Sequence, residues 1–106
     1  MTDDVLSRLA ATIKARRAET AEASYTRQLL DKGPMYCAKK MGEEAVETVI
    51  AGASQSDDAL RAEAADLVYH LLVLLEARNV AWDDVLTVLD QRTAQSGLAE
   101  KASRGR

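Results

Sequence analysis

The sequence predicts an all-α protein, a helical bundle of about five helices, and three observations carry that reading. One proline and five glycines among 106 residues leave long stretches uninterrupted. Within them apolar residues recur at helical spacing, as in Val5, Leu6, Leu9, Ala10 and Ile13. Strand-forming residues nowhere settle into a sustained alternation. The length suits one domain, residues 1–106, with no internal repeat, low-complexity segment or linker.

Taken in order, Thr2 is positioned to cap a first helix whose basic end, Lys14, Arg16 and Arg17, suits a helix C-terminus. A polar connection through Ala23 leads to Ser24, a cap for a short helix from Tyr25 to Lys32. Gly33 and Pro34 form a stop followed by a start, since glycine relieves a C-terminus and proline fits a first turn. Two long central helices follow, Met35 to Ala51 and Asp57 to Asn79, folded back antiparallel by a small polar turn from Gly52 to Ser56. Ser56 or Asp57 serves as the second cap. A fifth helix is expected from Trp82 to Ala94, with Trp82 as its staple. The tail from residue 97 is expected to be flexible and to order on a ligand.

The second central helix carries apolar residues around nearly its whole circumference, through Ala64, Ala65, Leu67, Val68, Leu71, Leu72, Val73, Leu74 and Leu75. Such a helix needs cover on several sides. One short chain supplies few other helices, so the two central helices are expected to form a shared core in a homodimer or higher oligomer.

Composition excludes several classes. With 47% apolar residues the chain buries enough surface to fold. A net charge of −3 without a basic stripe argues against a nucleic-acid binder. The longest apolar run, Leu71 to Leu75, is too short for a bilayer, and no basic region precedes an apolar run near Asp3 and Asp4, so no membrane partner or secretory signal is expected. Cys37 is the single cysteine; it is read as a packed thiol in a reducing compartment, and the protein as cytoplasmic.

The chemistry lies in acids. Glu43, Glu44 and Glu47 occupy an arc of about 100° on a 3.6-residue helix. Glu63 and Asp66 share a face of the next helix, and that face continues to His70. Antiparallel packing across the short turn brings these carboxylates together. Two like charges about 6 Å apart repel by roughly 3 kcal/mol at an effective dielectric near 20, so such a cluster calls for compensation. A divalent cation supplies it most directly, and all-oxygen ligands favour magnesium, with manganese a substitute. The plain alternative is surface ion pairing of Lys39 with Glu43 and Lys40 with Glu44. It leaves an acid pair on the apolar second helix unexplained. A di-iron bundle requires Glu-x-x-His pairs, and none is present.

The two-part pattern Glu43-Glu44-x-x-Glu47 and Glu63-x-x-Asp66 resembles the signature of the all-helical, MazG-like nucleotide pyrophosphohydrolases. The flanks resemble one family more narrowly: Ser24-Tyr25-Thr26, Lys32-Gly33, Lys39-x-x-Gly42, Tyr69-His70-Leu71-Leu72 and Ser96-Gly97-Leu98-Ala99-Glu100-Lys101-Ala102-Ser103-Arg104 are similar to phosphoribosyl-ATP pyrophosphohydrolase. One departure is Ala81, where that family often has a helix-capping residue. The resemblance implies magnesium-dependent hydrolysis of phosphoribosyl-ATP to phosphoribosyl-AMP and pyrophosphate, the second step of histidine biosynthesis, in a form not fused to the cyclohydrolase that acts next.

It also implies roles. Glu44, Glu47, Glu63 and Asp66 become the principal metal ligands, and Glu43 either a further ligand or a base that orients water. A triphosphate needs cations: Lys39 and Lys40 first, then Lys32 and Arg27, with Lys101 and Arg104 from the tail. Tyr25 either stacks on the base, bonds to phosphate or is simply packed, and His70 reads first as a core histidine, with contact to a ligand the alternative. Two other functions stay open here: the same scaffold acting on a damaged or non-canonical triphosphate, and a non-enzymatic dimeric helical module.

Overall fold

A computed structural model describes residues 4–94 and residue 104. Thr2, Lys101 and most of the tail from residue 97 lie outside the described residues. The described helices are α1 (Val5–Ala15), α2 (Tyr25–Lys32), α3 (Pro34–Ser54), α4 (Asp57–Ala77) and α5 (Trp82–Thr93), with a 3₁₀ turn at Arg16–Ala18 after α1. No strand occurs among the described residues, so the all-α expectation holds.

The caps explain most of the boundaries. Asp4, and not the expected Thr2, closes α1: its Oδ1 accepts the Ser7 amide at 2.7 Å. Aspartate caps at least as well as threonine and stands directly before the helix. Ser24 Oγ accepts the Arg27 amide at 3.1 Å. Gly33 stops α2 at φ 91°, a conformation that favours glycine, and Pro34 opens α3. Ser56 Oγ accepts the Ala59 amide at 3.1 Å, and Asp57 and Asp58 complement the start of α4. Ala81 gives α5 no side-chain cap, yet α5 begins at Trp82 as expected.

Two boundaries differ from the sequence reading by more than one residue. Helix α3 continues through Gly52, Ala53 and Ser54, because these small residues tolerate the helix and Ser54 Oγ donates back to the Ile50 carbonyl at 3.0 Å. The turn shrinks to Gln55 and Ser56. Helix α4 ends at Ala77, and Asn79 takes a positive φ of 59°. The Arg17 guanidinium holds this end: it donates to the Glu76 carbonyl at 2.6 Å, pairs with the Glu76 carboxylate, and reaches Asn79 Oδ1 at 3.4 Å. A cation there complements the helix dipole.

Helices α3 and α4 pack antiparallel along their length, with α1 and α2 laid against the C-terminal half of α4. The core sits there: Ile13, Leu29, Cys37, Leu72 and Val73 are buried, with Leu9, Leu30, Tyr36, Val68 and Trp82 packed around them. Of the stripe expected on α1, Val5 and Leu6 stay exposed beyond this core. The apolar side chains of α4 are all at least partly covered by the chain itself except Ala62 and Ala65. The uncovered apolar surface lies elsewhere, on α3 (Met35, Val46, Val49 and Ile50) and on α5 (Leu86, Val88 and Leu89). No residue of α5 is fully buried.

Candidate functional site

The register of α3 against α4 is marked by Thr48. Its hydroxyl lies 2.8 Å from the Glu44 carbonyl and 3.2 Å from the Glu63 carbonyl, setting the two helices side by side at this level. The sequence reading passed over Thr48; its signal was the four-residue spacing from Glu44, at which a threonine hydroxyl reaches back along a helix.

This register brings acids from both helices together. One carboxylate oxygen each of Glu44, Glu63 and Asp66 lies within 4.8 Å of the others. Glu47 stands beside Glu63 at the edge of this group. The Glu63 carboxyl is pushed above its ordinary value, first by burial, then by the neighbouring Glu47 carboxyl, then by the charges of Glu44 and Asp66. Glu44 Oε1 and Glu63 Oε1 are shut off from solvent and have no hydrogen-bond partner. Three carboxyl groups gathered across a short gap, two of them with an unpartnered buried oxygen, make a donor set for a hard divalent cation. The residues present therefore fit the metal that the acid pattern calls for.

Glu43 departs from this group. It is exposed, and its carboxylate accepts from the Lys40 ammonium at 3.1 Å, three residues back. Among the described ion pairs this one replaces the expected Lys39–Glu43 and Lys40–Glu44 pairs. Successive residues on a helix point about 100° apart, so Glu44 faces α4 while Glu43 faces away from it. The hydrogen bond and charge of Glu43 hold Lys40 above the ordinary lysine value, with smaller contributions from the nearby Tyr25 and Tyr36.

The other expected binding residues fall in three groups. Lys40, Tyr25 and Lys32 gather at the α2 end of the acid cluster: Lys32 Nζ stands 4.8 Å from the Tyr36 ring centre, and Tyr25 is half-exposed against His70. Lys39 and Arg104 are exposed. Arg27 is committed to architecture: it donates to the Arg17 carbonyl at 3.0 Å, to the Glu19 carbonyl, and to Asp31 Oδ1 at 2.8 Å. A cavity of about 410 Å³ between α1, α4 and α5, lined by Lys14, Leu75 and Trp82 among others, touches none of the acids and belongs to a different face.

The chain is similar to known proteins over most of its length. The profile of the family described as Phosphoribosyl-ATP pyrophosphohydrolase matches residues 6–93. A phosphoribosyl-ATP pyrophosphatase of Nitrobacter winogradskyi is 60% identical over 98 residues, covering 92% of this chain and 84% of the relative. Its counterpart from Nitrobacter hamburgensis is also 60% identical, with 92% of each chain covered. One from Caulobacter vibrioides is 56% identical over 101 residues, covering 95% of this chain and 94% of its own. The matched span takes in α3, α4 and every acid of the cluster, and on that footing the chain belongs to the phosphoribosyl-ATP pyrophosphohydrolase family.

Proposed function

We propose that this chain hydrolyses phosphoribosyl-ATP to phosphoribosyl-AMP and pyrophosphate, the second step of histidine biosynthesis, with magnesium held by Glu44, Glu47, Glu63 and Asp66. The observation that carries the reading is the meeting of three carboxylate oxygens within 4.8 Å, from residues of which Glu44 and Glu63 each hold a buried unpartnered oxygen, in a chain of this family. Relatives at 50–60% identity bear the name of that activity. Manganese is the expected substitute, being another hard ion that accepts oxygen ligands.

Hydrolysis between the α- and β-phosphates needs charge neutralisation, a placed water and a stabilised leaving group. When bound, the cation supplies Lewis acidity toward phosphate oxygens and water. The chain's own residues do the rest. Loss of the proton that Glu63 holds above the ordinary glutamate value frees its carboxylate to act as a ligand beside Glu47. Glu43, outside the three-oxygen group and paired with Lys40, is suited to orient water or to fix Lys40 toward phosphate. Lys40, Lys32 and Tyr25 flank the acids on the α2 side, where they meet the substrate, and Lys39, Lys101 and Arg104 supply further cations.

The same reading includes a homodimer, or a higher oligomer, whose shared surface is built from the exposed apolar side chains of α3 and α5. Among the described residues no helix is long and apolar enough to cross a membrane. A biosynthetic role places the protein in the cytoplasm.

The test is a substrate panel: pyrophosphate release from phosphoribosyl-ATP, ATP, dUTP and dCTP by purified protein with magnesium. Phosphoribosyl-ATP should be hydrolysed far faster than the others. Comparable rates on ordinary nucleotides would overturn the substrate assignment and favour a housekeeping triphosphate hydrolase.

A further inference from the structure

His70 is the chain's single histidine and is only 7% exposed. Its Nδ1 lies 2.9 Å from the Asp66 carbonyl. A carbonyl only accepts, so Nδ1 carries the hydrogen, and in the neutral ring Nε2 is left with a lone pair. That Nε2 is sealed from solvent and has no hydrogen-bond partner. Tyr69 stands edge-on at 5.0 Å and Tyr25 at 6.5 Å, and the Tyr69 hydroxyl is itself tied to Thr26 Oγ1. Buried polar atoms are almost always paired, so a buried acceptor without a donor points to a partner that arrives with a ligand.

Its place in the fold says which kind. His70 lies one turn beyond Asp66 on the same face of α4, about 6 Å along the axis. It also meets Tyr25 of α2, which is half-exposed. A nucleotide with its phosphates at Glu44, Glu63 and Asp66 brings its ribose next, and the base amino group lies a ring further out. Phosphate oxygens have no hydrogen to offer a lone pair, whereas ribose hydroxyls do. We infer that His70 is a specificity-determining residue whose Nε2 accepts a hydrogen bond from a ribose hydroxyl of the bound nucleotide. The inference rests on the nucleotide reading above and extends it, giving the site a means to select ribonucleotides over deoxyribonucleotides.

The single histidine makes the test clean. In protein labelled with ¹⁵N-histidine, the Nε2 resonance should report an unprotonated nitrogen. It should stay in place with magnesium alone and shift toward the hydrogen-bonded position when magnesium and α,β-methylene-ATP are added together. The 2′,3′-dideoxy analogue should leave it unmoved. An Nε2 that carries a proton, or one that responds equally to both analogues, overturns the inference.

Two variants supply an independent arm. Asparagine at this position keeps a donor near Nδ1 for the Asp66 carbonyl, whereas glutamine keeps an acceptor near Nε2. His70→Asn should therefore lose about tenfold more kcat/KM on phosphoribosyl-ATP than His70→Gln, the scale of one lost hydrogen bond with its buried partner left unpaired. The reverse order would mean that His70 serves only to hold Asp66. Absent turnover by wild type would sink the phosphoribosyl-ATP assignment alone, because the resonance is read without catalysis.

Discussion

Magnesium should stabilise this chain against heat, and the size of the effect follows from the site. Glu44, Glu63 and Asp66 come from one chain and form one cluster, so a single-site linkage applies. At free metal ten times its Kd the gain is about 1.4 kcal/mol, and at a hundred times about 2.7 kcal/mol. An unfolding entropy of about 2.1 cal/mol/K per residue gives about 0.22 kcal/mol/K for 106 residues. The expected rises in Tm are therefore about 6 °C and about 12 °C. Glu44→Gln removes the charge of one proposed ligand carboxylate; if it weakens binding tenfold, the smaller rise falls to about 2 °C.

The pH dependence has a definite sign. Glu63 is raised above its ordinary value of 4.5. The folded state thus holds its proton more tightly than the unfolded state. That contribution is complete below the ordinary value and is lost as pH rises through the raised one. Metal-free protein should melt lower as pH climbs through this window, while the gain from magnesium grows because the ligands have shed their proton. Melts followed by circular dichroism at fixed protein concentration, in chelator and in magnesium, read both effects. A Tm indifferent to magnesium, or an equal rise in Glu44→Gln, would refute the reasoning.

Three other expectations follow. Cys37 is 1% exposed, its Sγ donates to the Leu29 carbonyl at 3.2 Å, and burial pushes the thiol pKa up. Native protein should react with a thiol reagent no faster than it unfolds, and rapid labelling of folded chain would contradict the packed-thiol reading. Leu29→Ala empties part of the small core and should cost about 3 kcal/mol in chemical denaturation, whereas a loss under about 1 kcal/mol would mean that the core is not where it is drawn. In sedimentation the wild type should run at twice the 11.5 kDa chain mass or more, and Val49→Glu, on the exposed face of α3, should shift it toward monomer. A wild type that sediments as a monomer would remove the homodimer from the account.

Local chemistry made most of the fold legible in the sequence. Ser24, Gly33 with Pro34, and Ser56 each act over three or four residues, and each does what its type and neighbours dictate. The acid convergence was legible too, because antiparallel packing across a short turn determines which faces meet. What stayed hidden depends on contacts between distant segments. Arg27 looked like a free cation, yet its guanidinium is spent on the carbonyls of Arg17 and Glu19. Glu43 read as either a further ligand or a base, and only the register, which turns Glu44 toward α4, leaves it outside the group with Lys40. The uncovered apolar surface was expected around α4, but α1, α2 and α3 largely cover that helix, and the exposed side chains are those of α3 and α5.

The most direct test of the central claim is turnover of phosphoribosyl-ATP as a function of magnesium, in wild type and in Glu44→Gln side by side. Wild type should be silent in chelator, rise with magnesium to saturation, and recover with manganese, while the variant should need far more metal and turn over slowly at any concentration. Hydrolysis that proceeds without a divalent cation, or that survives Glu44→Gln unchanged, would contradict the account of the acid cluster.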